Sequence, residues 1–266
     1  MKKNILIFCS VLIVLSLVAC SFNKDKETKS QVAVENQDLA SNTEAPILIK
    51  DRINSDFIFD VAPRFKAIKK SDLNKAKSFS EFITDEHAER IVQYKSLNVI
   101  VLDGDRKTDV RENSIGSDFN QAQINLLQSA DYATNLLIWA DYREKNFDTG
   151  NLEYSTWTPY LSVVPETQAI YQNGKVTLID YLDKNSLAER SNIKTDKLQP
   201  ATIIFTVNKN GNVENAKLDR TSGYPLVDQK LIELILKTSG SWVPAENIKG
   251  EKVDQALTIS FGILGC

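Results

Sequence analysis

"ATIIFTVNKNGNVENAKLDR" occupies residues 201–220. Ile203, Phe205 and Val207 fall on one face of an alternating run, with Thr202, Ile204 and Thr206 on the other. A period of two predicts a strand with a buried face. In "NKNGN", Asn210-Gly211 supplies two residues that tolerate positive φ, as a tight hairpin turn requires. Residues 213–220 read as the return strand. Its apolar parity slips between Val213 and Ala216/Leu218, which predicts a bulge.

Working outward, "TSGYP" (221–225) breaks the strand and puts Pro225 where a helix start accepts it. Val227, Leu231, Leu234/Ile235 and Thr238 recur at helical spacing. Asp228 near the start, Lys237 near the end and Gly240 just beyond match dipole and capping preferences. "SWVPAENIKG" (241–250) then leads to a last alternating run of Val253, Leu257, Ile259 and Phe261. Trp242 is expected to cap the core between helix and sheet, Pro244 to stop the helix resuming, and Gly250 to allow the final turn. Upstream, "NGKVTLIDYLDKN" (173–185) reads as a helix with Leu178/Ile179 and Leu182 inward. Helix, strand, strand, helix, strand predicts a small α+β sandwich: three antiparallel strands with helices on one face.

Together, Phe205, Val207, Gly211 and Val213 of the hairpin, Val227-Asp228 at the helix, and Trp242, Pro244, Ala245, Gly250 and Val253 make residues 164–266 resemble the TonB C-terminal domain family, in its Bacteroidetes version. Gly211, Trp242, Pro244 and Gly250 carry the structural motif. The resemblance implies a module that binds a short extended segment, the TonB box of an outer-membrane receptor, beside its last strand. Backbone bonds give such strand addition its affinity. Carried onto this sequence, the partner edge comprises Lys252 and Val253, then Asp254, Ala256, Thr258 and Ser260 facing outward. A polar row suits an edge that must stay soluble when unpaired, and the other reading is a merely solvated edge. The sequence departs from TonB proper, which has an uncleaved membrane anchor that contacts a proton-driven motor and a Pro-rich spacer. "PETQAIYQNG" (165–174) also lacks the family's usual Pro-Gly-Gly entry.

The front end is where that departure lies. Lys2 and Lys3 precede an apolar run from Ile5 to Leu17, then Leu17-Val18-Ala19-Cys20. This is a secretion signal. Its end resembles the lipobox of bacterial lipoproteins, which implies removal of residues 1–19 and acylation, including palmitate, of Cys20. The other reading is an uncleaved anchor, but about fifteen apolar residues is short of the ~20 a span needs. Residues 20–50 then form a lipidated Cys and a polar tether with one proline, Pro46. By resemblance to sorting rules, Ser21 implies an outer-membrane destination. Lys24-Asp25-Lys26-Glu27 loosely resembles a surface-export signal. The expected location is the outer membrane, lipid-anchored, on its periplasmic face or exported to the surface.

Composition narrows the function. The 266 residues carry 32 Lys and Arg against 35 Asp and Glu, a formal charge of -3. No basic stripe marks a nucleic-acid binder. Of Cys9, Cys20 and Cys266 only the last stays free, so no internal disulfide forms and no zinc cluster can be built with a lone His87. His87, in "TDEHAERIVQY", reads as a surface or half-buried helix residue. No catalytic constellation stands out, no cofactor or metal is implied, and the chain reads as a non-enzyme.

Residues 51–163 are expected to form a second small α+β domain with an antiparallel sheet. "SDLNKAKSFSEFITDEHAERIVQY" holds one or two short helices, and "SLNVIVLDGD" is a strand entering an Asp-Gly turn. "SDFNQAQINLLQSA" is a helix capped by Ser117 or Asp118, with Ile124, Leu127 and Ala130 on one face. Residues 135–166 form a hairpin around Asp148–Asn151. This region faintly resembles a C-terminal domain of the gliding-motility protein GldM. Asp141 to Lys145 reads as a solvated charge run; Trp139, Trp157 and Tyr160 read as strand aromatics of the core, with a binding surface as the other reading. The chain is thus expected to be an envelope lipoprotein that binds extended peptides or envelope proteins by strand addition. The alternative is an accessory energy transducer for TonB-dependent transport, with the motor supplied in trans.

Overall fold

The computed structural model describes residues 57–263; the leader, Cys20, the tether and Cys266 lie outside the described residues. The fold is α+β and is built on two main hydrophobic cores.

The chain enters through β1 (Ile58–Ala62), whose Phe59 and Val61 point inward while Asp60 points out. Pro63 ends it, because proline has no N–H to donate to a ladder. The middle lobe follows: β2 (Lys66–Lys69), α1 (Lys70–Lys75), a 3-10 turn (Phe79–Phe82) and α2 (Asp85–Arg90). Next come β3 (Ile91–Asp103), β4 (Arg106–Ser114), α3 (Gln121–Ser129), β5 (Asn135–Lys145), β6 (Leu152–Trp157) and β7 (Tyr160–Val164). Their sheet runs β2-β7-β5-β3-β4, with β6 also paired to β5. β2 and β7 are parallel, so this sheet is mixed rather than purely antiparallel. Leu97, Val99, Leu136, Ile138 and Ala140 are fully buried beneath Leu73, Phe79 and Leu127 from the helical segments.

The α3 cap differs from the expected Ser117 or Asp118. Asn120 Oδ1 accepts from the Gln123 amide at 2.9 Å, and Gln123 Oε1 accepts from the Asn120 amide at 3.0 Å. This reciprocal box satisfies two orphan donors, which neither earlier residue does.

The C-terminal lobe contains β8 (Ile170–Tyr171), α4 (Gly174–Asn185), α5 (Leu187–Arg190), β9 (Ala201–Val207), β10 (Val213–Arg220) and α6 (Pro225–Leu236). It ends with β11 (Trp242–Val243), β12 (Ala245–Glu246), β13 (Lys252–Val253) and β14 (Gln255–Gly262). The β9–β10 register breaks between Glu214 and Lys217, with Asn215 at φ 54°, which is the bulge expected from the parity slip. Ile203, Phe205 and Val207 bury fully against Val227, Leu231 and Ile235 of α6 and Leu178 and Leu182 of α4.

This sheet has four strands, in the order β1-β14-β9-β10. Residues 58–62, grouped by sequence with the middle domain, therefore belong to the C-terminal sheet. Their apolar alternation completes a core that the other strands leave open on that side. Arg64, just past β1, ties the lobes: Nη1 and Nη2 donate to Asp219 Oδ2 of β10 at 2.8 and 2.6 Å. Its Nε lies 3.5 Å from Asp105 in the β3–β4 turn, and Arg220 pairs with the same Asp105.

Candidate functional site

The expected partner edge is not an open edge. β14 is an interior strand, paired with β9 on one side and with β1 on the other. The β1 register runs Ile58–Gly262, Phe59–Phe261, Asp60–Ser260, Val61–Ile259 and Ala62–Thr258. Lys252 and Val253 are not in this sheet at all; they form a small ribbon with Glu246 and Ala245. Asp254 is exposed at the break and accepts from the Lys209 amide at 2.8 Å. Ala256 is half-buried, and it lines a crevice with Pro63 and Val164 between the lobes. Thr258, expected to face outward, is only 6% exposed, and its Oγ1 donates to the Ala62 carbonyl at 2.9 Å. Ser260 stays exposed, opposite Asp60.

Burial explains the occupancy. Phe57, Phe59 and Val61 are each under a tenth exposed, and Phe57 stacks on Phe261 with ring centroids 6.2 Å apart. Each such side chain contributes about 1.5–3 kcal/mol when buried. Arg190 closes over them, its guanidinium 4.6 Å from the Phe57 ring centroid and 5.6 Å from that of Phe59. Its Nη2 donates to Asp183 Oδ1 at 2.6 Å. Burial lowers the Arg190 pKa, and Asp183 opposes that. Beyond Ala62, Gln255 takes over at the edge: its Oε1 accepts from the Ala169 amide at 2.6 Å.

The four motif residues make a frame rather than a chemical site. Trp242 is buried, its Nε1 donating to Thr238 Oγ1 at 3.0 Å, its ring 5.6 Å from Phe205 and 5.5 Å from Tyr171. Gly211, at φ +80°, turns the β9–β10 hairpin underneath the Trp242 carbonyl. Pro244 is buried between the two short ribbons. Gly250, at φ +76°, closes the β12–β13 turn, its amide donating to the Asn247 carbonyl at 2.9 Å.

A cavity of about 590 Å³ in the middle lobe was not anticipated. α2 contributes His87 and Arg90, β5 contributes Tyr142 and Glu144, β6 contributes Trp157, and β2 contributes Lys66. His87 Nε2 lies 2.7 Å from Tyr142 Oη and 3.5 Å from Glu144 Oε2. Arg90 Nη2 lies 3.8 Å from the same Glu144 oxygen. Burial, then the Glu144 charge, pushes the Tyr142 phenol up to about 12.

The supposed solvated run 141–145 is therefore divided by strand parity. Tyr142, at 1% exposure, and Glu144 face the cavity. On the opposite parity, Asp141 accepts from Ser96, Trp139 and Thr156, and Arg143 lies over Tyr154. Burial alone would raise the Asp141 pKa, but the three donors together hold it below the ordinary value. Trp157 and Tyr160 are 47% and 39% exposed and lie outside the buried core. Among the described residues no group of His, Cys, Asp and Glu is arranged to hold a metal ion, and no helix is long and apolar enough to cross a membrane. No family model, curated protein or solved structure matches the chain.

Proposed function

We propose that this chain is a cell-envelope lipoprotein, anchored through acylated Cys20 at the outer membrane, whose TonB-like C-terminal lobe takes extended segments of envelope proteins by strand addition, without chemistry. One observation carries the reading: β14 already holds an extended segment, the chain's own β1, antiparallel at the edge where a partner would pair. The edge accepts apolar side chains at alternate positions, Phe59 and Val61, with a polar residue between them. A partner segment of the same alternation competes with β1 for the same ladder. It must replace the burial of Phe57, Phe59 and Val61, so apparent affinity is set by how often β1 is displaced.

Fluorescent peptides of alternating apolar and polar residues, titrated onto the full chain and onto Phe59→Ala, test this. The loosened variant is expected to bind about tenfold more tightly, as the competent state becomes more populated. Failure of both proteins to bind any such peptide would sink strand addition. Binding of TonB-box peptides alone would move the reading to an accessory of outer-membrane transport. Labelled palmitate incorporated by the native chain but not by Cys20→Ala is expected; no label on either would remove the lipid anchor.

A further inference from the structure

β1 stops short of the full ladder that β14 offers. Its last pair is Ala62–Thr258. Pro63 has no N–H to give, and by Phe65 the chain has turned into the middle lobe, where the Phe65 amide donates to Ser162 Oγ at 3.0 Å. β14 continues through Leu257 and Ala256 to Gln255, still paired with β9 but with no strand on the β1 side.

Beside this stretch lies an apolar hollow of about 270 Å³. Leu257, Leu178 of α4, Trp242, Tyr171 and Ala169 line it, together with the end of β1. Ile170, 55% exposed, also lines it, so the hollow opens to the surface. Val61 and Leu257 in its wall are both buried inward, which places it on the core face of the sheet. An engineered apolar hole of roughly 150 Å³ admits a benzene ring, so this one has room for a leucine or phenylalanine side chain.

Strand parity says which residue of an added strand would enter. Phe59 and Val61 of β1 point inward, and alternation makes the residue opposite Leu257 the next inward one. The chain has Pro63 there, outside the ladder. The ladder does not run far beyond, because the Gln255 side chain crosses it. Gln255 Oε1 accepts from the Ala169 amide at 2.6 Å, and Nε2 donates to Gln168 Oε1 at 3.1 Å.

We propose that this hollow is the specificity pocket of the β14 edge. It takes one large apolar side chain of the partner, two residues beyond the one that replaces Val61. The inference rests on strand addition at β14 as the function of this lobe. When β1 leaves, the partner's own residues rebuild the walls that Val61 and Ala62 supplied, while Leu257, Leu178, Trp242 and Ala169 stay. A partner that reaches the hollow buries one apolar side chain more than β1 does, which lets it displace a strand already in place.

Peptides copying residues 57–63, with Pro63→Leu or Pro63→Ser, are titrated onto the full chain and onto Phe59→Ala, whose β1 is loosened. Both peptides carry an N–H at this place and differ only in what enters the hollow. The Leu peptide is expected to bind at least about tenfold more tightly than the Ser peptide, the effect of burying one such side chain. Ala169→Leu fills the hollow from the β8 side and leaves residues 255–262 unchanged. It should erase the preference, keep the affinity for the Ser peptide and unfold at no lower temperature than the native chain. Equal binding of the two peptides, or a preference that survives in Ala169→Leu, overturns the pocket and leaves strand addition standing. Binding of neither peptide to either protein overturns strand addition and the pocket together.

Discussion

The carbonyl oxygen of Trp242 occupies the space that a Cβ on residue 211 would need, and the Gly240 amide donates to the Gly211 carbonyl at 2.9 Å. The hairpin turn and the Trp-Pro segment are thus fitted to each other across the end of α6. This is why a glycine and a tryptophan that are distant in sequence belong to one motif. Gly211→Ala must both strain a left-handed backbone and push the Trp242 peptide away. A loss of about 2–4 kcal/mol is expected, read as a lowered midpoint in urea. A variant as stable as the native chain would mean that the turn relaxes without cost.

Asp228 is buried at the start of α6, where it accepts from Thr221 Oγ1 and Ser222 Oγ, both at 2.6 Å, and from the Ser222 amide at 3.1 Å. Asp228→Ala leaves these donors unpaired and should cost about 2–3 kcal/mol. Asp228→Asn retains an acceptor and should cost less. Equal losses in the two variants would argue against the hydrogen-bond account.

Arg64 links the β1 exit to Asp219 and Asp105, with its side chain 10% exposed. Arg64→Ala should cost about 1–3 kcal/mol. It should also let the lobes unfold in separate steps, seen as non-coincident transitions by different probes. A single coincident transition would mean that the remaining contacts between the lobes suffice to couple them.

The alkaline limb of stability should carry the signature of Tyr142. Its folded pKa, about 12, lies above the unfolded value, so the folded state keeps a proton that the unfolded state sheds. That stabilisation is complete below pH ~10 and fades as pH rises toward about 12. Tyr142→Phe should flatten this limb by on the order of 1–2 kcal/mol. Asp141 works in the opposite sense: its lowered pKa contributes stability above the ordinary carboxylate range, lost as pH falls through the folded value. Asp141→Asn should make acid unfolding shallower. Unchanged pH profiles in either variant would contradict the assignment.

Much of the C-terminal lobe was legible because its signals are local. The alternation of Ile203, Phe205 and Val207, the Asn-Gly turn and Pro225 at the first turn of α6 each act within a few residues. β1 shows the limit. "IFDVA" alternates like a strand, but its partner, Ile259 among others, lies about two hundred residues on, and nothing local names the sheet it joins. β4 was missed for another reason: most of "RKTDVRENS" is exposed, so no apolar rhythm marks it. The cavity was hidden because His87 and Tyr142 come from separate elements. The one available clue was parity along β5, which puts Tyr142 and Glu144 on a common face.

The pairing of β1 with β14 joins the first described strand to the last. Synthesis runs from the N-terminus, so Phe57, Phe59 and Val61 emerge early and find their ladder only when residues 255–262 arrive. The C-terminal sheet therefore closes late, through contacts of very long sequence separation, which are slow to form and leave apolar surface exposed meanwhile. A chain stopped before β14 would leave β1 unmatched, a natural target for holding chaperones. Arrival of β14, the last strand of the sheet, becomes the event that lets β1 bury its apolar face.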